Sequence, residues 1–172
     1  LIVGLPILIS EVLGMSDTLY GFSQASLSLG GLCGGFLTAI VAEKLKLKNL
    51  YVLLLICSAS VFLMGISLLL GLSEIISYWV ITLMCFVAMG VSTLFVVQIY
   101  TVVQMQTPPE LVGKIMATLV SVAMCGQPIG QMIYGILFDV FSGNAWIVML
   151  IASIASILIT WYSRQVFKQL EY

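Results

Sequence analysis

Beyond Lys114 the chain runs to Phe138 without another charge. At about 1.5 Å per helical residue, that is long enough to cross the roughly 30 Å hydrocarbon core of a bilayer. Further apolar spans stand at about residues 19–42, 50–72, 75–103 and 145–163, with a shorter one at about 1–10. Inside hydrocarbon only helices or a closed barrel satisfy every backbone polar group. Barrel strands alternate apolar and polar residues, and these spans do not. The expected fold class is therefore all-α, a polytopic membrane helical bundle. Composition agrees: 62% of residues are hydrophobic and 8% charged, with mean hydropathy +1.21, whereas soluble domains carry roughly 25% charged residues.

The run LIVGLPILIS at the start reaches only about 15 Å as a helix. It reads as a cut through a membrane span, so residues 1–172 are expected to hold five whole spans and one truncated one. Residues 164–172 form a polar tail. The four cysteines, Cys33, Cys57, Cys85 and Cys125, fall on four different spans with no CxxC spacing, and there is no histidine. Neither a metal site nor a disulfide framework is indicated, and the thiols read as small apolar residues. No cofactor-binding glycine loop, no catalytic constellation and no basic patch for nucleic acid is present.

All six basic residues, Lys44, Lys46, Lys48, Lys114, Arg164 and Lys168, lie in the connection after span two, the connection before span five, and the tail. Alternate crossings place those three segments on one side. The opposite connections carry Glu11, Asp17, Glu74 and Asp139 and no base. Cytoplasmic loops collect Lys and Arg, so the basic side is expected to be cytoplasmic. Tyr20, Phe22, Tyr51, Tyr78, Trp79, Phe141, Trp146, Trp161 and Tyr162 cluster near the span ends, where amphipathic rings favour headgroup depth.

Helices in lipid associate through small residues and hydrogen bonds. The second span sets Ser26, Gly30, Gly34 and Thr38 at intervals of four, beside a second row of Gly31, Gly35 and Ala39. That broad small face is expected to pack closely on another helix. The third and sixth spans are bulky and apolar all round, and suit a position facing membrane lipid.

The fifth span is the anomaly. It opens on Thr107-Pro108-Pro109-Glu110, and at its centre are Gly126, Gln127, Pro128, Gly130 and Gln131. Pro128 should free a carbonyl near Met124 and kink the helix. Gln127, Gln131 and Tyr134, at i, i+4 and i+7, share one face, with Gly126 and Gly130 on an adjoining one suited to helix packing. A buried amide needs a partner or water. These glutamines either bond neighbouring helices or line an aqueous path, and the residues alone leave both open. On the fourth span Gly90, Ser92 and Thr93 lie near mid-depth, with Gln98 further along.

Three segments resemble the C-terminal half of a major facilitator superfamily transporter, from the end of its helix seven to helix twelve. They are Leu5–Phe22 (LPILISEVLGMSDTLYGF), Ala39–Asn49 (AIVAEKLKLKN, similar to a degenerate G-x-L-A-D-R-x-G-R-K loop), and TPPELVGKIMA with Pro128, Gly130 and Gly135. The third is closest to the bacterial drug-efflux and permease branch. Ala39, Glu43 and Lys44 stand for the loop's glycine, aspartate and arginine, while Lys46 and Leu47 depart from its Gly-Arg pair.

The resemblance implies half of a 12-helix fold and an N-terminal half of the same transporter as partner. It also implies that helices eight and eleven meet the other half, helix ten lines the central cavity, and nine and twelve face lipid. The expected function is secondary transport, of efflux-permease type in the cell inner membrane, of a small amphipathic solute by alternating access. Gln127, Gln131, Tyr134, Ser92 and Thr93 are the expected substrate path, and Glu43 and Lys44 a cytoplasmic gate. The competing expectation is a non-transporting membrane scaffold that uses its glycine faces for assembly.

Overall fold

The computed structural model describes residues 4–41, 50–141 and 144–169. The chain starts with one turn, α1 (Gly4–Pro6), which widens into a π-helical segment at Ile7–Val12. Leu13 N–H closes it by donating to Leu8 O at 3.0 Å, and Gly14, at φ +58°, turns the chain out. Five long helices follow: α2 (Asp17–Val41), α3 (Leu50–Leu69), α4 (Glu74–Gln106), α5 (Pro109–Val140) and α6 (Ala145–Gln169). All five are long and apolar enough to span a membrane. The architecture is a helical bundle without strands among the described residues.

The ends follow local chemistry. α3 stops at Leu69 rather than near residue 72 because Gly71 adopts φ +57°, a left-handed stop that glycine takes without a Cβ penalty. α5 begins at Pro109, five residues before Lys114, because proline at the first helical position lacks only an N–H that has no partner there anyway. α6 continues through Arg164 to Gln169, so the first part of the expected tail is helical.

α4 is the spine of the bundle. α2 packs along one side of it and α3 along another, and α6 covers α3. The α2–α4 seam is the tightest. The carbonyls of Phe86 and Gly90 stand where a Cβ on Gly30 or Gly34 would have to be, and Gly30 O lies 3.0 Å from the corresponding position on Gly90. Only hydrogen on those Cα atoms permits this approach, which brings peptide groups into van der Waals and Cα–H···O range. Gly31 faces Met89 and Thr93, while Gly35 has nothing within 4 Å among the described residues.

One turn further along, Ser23 and Thr82 share a buried hydroxyl–hydroxyl bond of 2.7 Å, and Tyr78 donates to Leu19 O at 3.0 Å. Tyr78 is thus a buried strut between α4 and the start of α2 rather than an interfacial anchor. Trp79 beside it is exposed and stacks edge-on with Phe22 and with Tyr78. A double-mutant cycle on Ser23→Ala and Thr82→Ala, read by thermal unfolding in detergent, should give a coupling of roughly 0.6–1.7 kcal/mol, the span measured for membrane interhelical bonds. Strict additivity would show that the two hydroxyls do not depend on one another.

α3 is less peripheral than an all-round apolar helix suggests. Ser58 and Ser67 are buried, and Gly65 lies against Met149 and Leu150 of α6. Ser58, Ser60 and Ser67 donate to the carbonyls of Leu54, Ile56 and Met64 within the helix, so their hydroxyls cost nothing in the apolar interior. Leu5, Leu8, Ile9, Met64, Ile81, Cys85 and Val148 make the central core.

Candidate transport face

α5 stands apart. Phe138 is its only buried residue, and the helix reaches the bundle near Gly4, whose added Cβ would meet the Phe138 ring at 3.5 Å. The helix is continuous through Pro128. Gly126 and Gly130 have nothing within 4 Å among the described residues, so the glycine face of α5 packs on no described helix of this chain.

The polar face runs along the same side as the anchor. At about 100° per residue, Gln127, Gln131, Tyr134 and Phe138 fall within roughly 60° of one another. Exposure falls along that stripe: Gln127 is exposed, Gln131 and Tyr134 are half-buried, and Phe138 is 4% exposed. No hydrogen bond joins either glutamine to another helix among the described residues. Of the two roles left open for these amides, the bonds that would make them glue to a neighbouring helix are not formed among the described residues.

At its closed end the stripe enters an internal chamber of about 40 Å³ between α1, the π segment, α3, α4, α5 and α6. Leu5, Leu8, Met64, Cys85, Phe138 and Met149 wall it, all of them buried. Buried Gly4 also lines it, and Tyr134 and Val61 are the half-buried members, so they form its rim.

The α4 candidates are placed differently. Ser92 is exposed. Thr93 is half-buried, donates to Met89 O at 2.9 Å, and lies against Gly31 of α2. No hydrogen bond connects either of them to the α5 stripe among the described residues. Glu43 and Lys44 lie outside the described residues.

Three contributors carried little signal in the sequence. Phe138 is one more aromatic at a span end, and only its register with Gln127 and Gln131 marks it. Phe86 contributes through its backbone carbonyl, which no side-chain pattern announces. Gln98 is 4% exposed, and its amide nitrogen has no hydrogen-bond partner among the described residues. Cys57 and Cys85 sit in the interior, the Cys57 thiol pointing to Ala88 O at 3.6 Å, while Cys33 and Cys125 are exposed on α2 and α5.

The helices supply spanning length, one closely packed helix pair, and one long helix whose polar stripe is left uncovered. The family whose model matches the chain is the Major Facilitator Superfamily, over residues 1–170. No curated protein and no solved structure matches it. Members of that family are membrane transporters rather than enzymes. Its all-helical, multi-pass architecture fits the bundle described above, and the chain belongs to the major facilitator superfamily.

Proposed function

We propose that this chain forms the C-terminal half of an efflux-type permease that moves a small amphipathic solute by alternating access. The N-terminal half of the same transporter would cover the open side of α5. One observation carries the reading: a 32-residue spanning helix with two central glutamines buries a single residue against its own bundle. An amide facing hydrocarbon costs several kcal/mol, so that stripe needs water, solute or another protein surface. A path at the interface of two halves supplies all three.

Gln127 and Gln131 are the polar contacts of that path, Tyr134 marks where it turns apolar, and Ser92 and Thr93 would contribute from α4. Glu43 and Lys44 would act at the cytoplasmic mouth, with the basic connections on the cytoplasmic side. In the full-length protein reconstituted in vesicles, Gln131→Ala should lower solute flux about tenfold or more, as expected for losing a hydrogen bond of roughly 1.5 kcal/mol or more at a desolvated site. Glu43→Ala should slow turnover at unchanged expression. Unaltered flux and solute profile in Gln127→Ala and Gln131→Ala would remove the path from this face. A cysteine introduced at Lys46 should react with an impermeant thiol reagent from the cytoplasmic side only.

A further inference from the structure

The chamber at the closed end of the stripe is a second, chemically different element of the same face. Its lining is mainly apolar side chains with the Cys85 thiol, and polar atoms make up a minor share of its surface; its rim residue Tyr134 is one helical turn from Gln131. A water-sized group needs about 10–15 Å³ of such volume, so a 40 Å³ chamber has room for about three groups of that size, the space of a short chain. A cavity of this lining offers water few hydrogen bonds and favours an apolar occupant. The exposure gradient from Gln127 to Phe138 gives the occupant a direction, polar end outward and apolar end inward.

Resting on the transport reading above, we infer that the chamber is an alkyl-length filter. It takes a short hydrocarbon end of about three carbons, while the head of the same solute, a neutral hydrogen-bonding group, lies along Gln131 and Gln127. Phe138 is the end wall and Cys85 the side wall, so these two residues set the length that fits. Among the described residues no charged side chain belongs to the chamber lining or to the stripe, so this face offers the head hydrogen bonds rather than an ion pair: the nearest charges along α5 are Lys114 and Asp139 near its ends.

Primary alkanamides from acetamide to hexanamide test this on the purified full-length protein, by binding measured through thermal shift and competition. Affinity should rise about fourfold per methylene as far as butanamide, the increment expected for burying each CH₂. It should then fall at least tenfold by hexanamide. Cys85→Ala should move the break about one carbon further. Val61→Ala at the rim should do the same without emptying a buried position, in case the first variant does not fold.

Affinity that climbs evenly through hexanamide, in parent and variants alike, reports partition into detergent and overturns the filter, as does an absence of binding. Flux of labelled butanamide into vesicles separates the two readings. Binding with the break but without flux leaves the chamber and overturns transport. Flux with no chain-length break overturns the chamber alone.

Discussion

Gly34→Ala should lower the thermal stability of the protein by about 1–3 kcal/mol, the usual cost of forcing a methyl into a packed interior. Gly30→Ala should cost a similar amount. At both sites the added Cβ would meet a backbone carbonyl of α4, from Gly90 and from Phe86. A flexible side-chain tip could swing away, but a carbonyl in the middle of a long helix cannot move unless the whole helix does. Separating α2 from α4 would also pull on the Ser23–Thr82 bond of 2.7 Å and the Tyr78–Leu19 bond of 3.0 Å; a seam already parted by one methyl has room for the other, so Gly30→Ala with Gly34→Ala should cost less than their sum. The control lies one residue on. Gly35 has nothing within 4 Å among the described residues, and Gly35→Ala should be neutral or slightly stabilising through helix propensity. Melting curves in detergent give the answer: equal behaviour of Gly34→Ala and Gly35→Ala would mean that the seam is not close-packed.

The contrast between Gly34 and Gly35 shows where reading the sequence stops. Charge-free length and the absence of alternation make a membrane-spanning all-helical bundle legible, since hydrocarbon admits so few backbone solutions. The motif-bearing segments from Leu5 to Gly135 made the superfamily legible as well. Spacing could mark a small-residue face on α2. It could not say which of the two adjoining glycine rows meets a neighbour, because that depends on which part of α4 lies opposite. The row holding Gly30 and Gly34 meets carbonyls, and the row holding Gly31 and Gly35 meets side chains or nothing.

Tyr78 and Trp79 carry the same lesson. Both are aromatic residues near a span end, yet Tyr78 is 2% exposed and Trp79 is 55% exposed. Adjacent helix positions point about 100° apart, and only the placement of α2 decides which ring is covered. The chamber was invisible for a stronger reason. Its walls come from five segments far apart in sequence, and a void is a property of their packing rather than of any one segment.

Phe138→Ala should loosen α5 from the rest of the bundle. Phe138 is the one buried side chain of that 32-residue helix, so its ring is the most deeply buried contact of α5 with the described bundle, beside the half-buried Tyr134 and Leu137. In water such a truncation costs about 3–5 kcal/mol, as a transfer term plus a cavity term. Lipid tails are as apolar as the protein interior, which removes most of the transfer term in a membrane. The remaining cavity and contact losses come to about 2 kcal/mol. The consequence should be local: amide exchange should accelerate along Leu137–Val140 and in α1, whose Gly4 faces the ring, and stay slow across the α2–α4 seam. Val140→Ala, at a 69% exposed position, should change neither. A uniform loss of protection over all helices would mean that Phe138 stabilises the bundle as one cooperative unit. Protection unchanged near Leu137 would mean that α5 is held elsewhere along its length, by its polar stripe rather than by its apolar end.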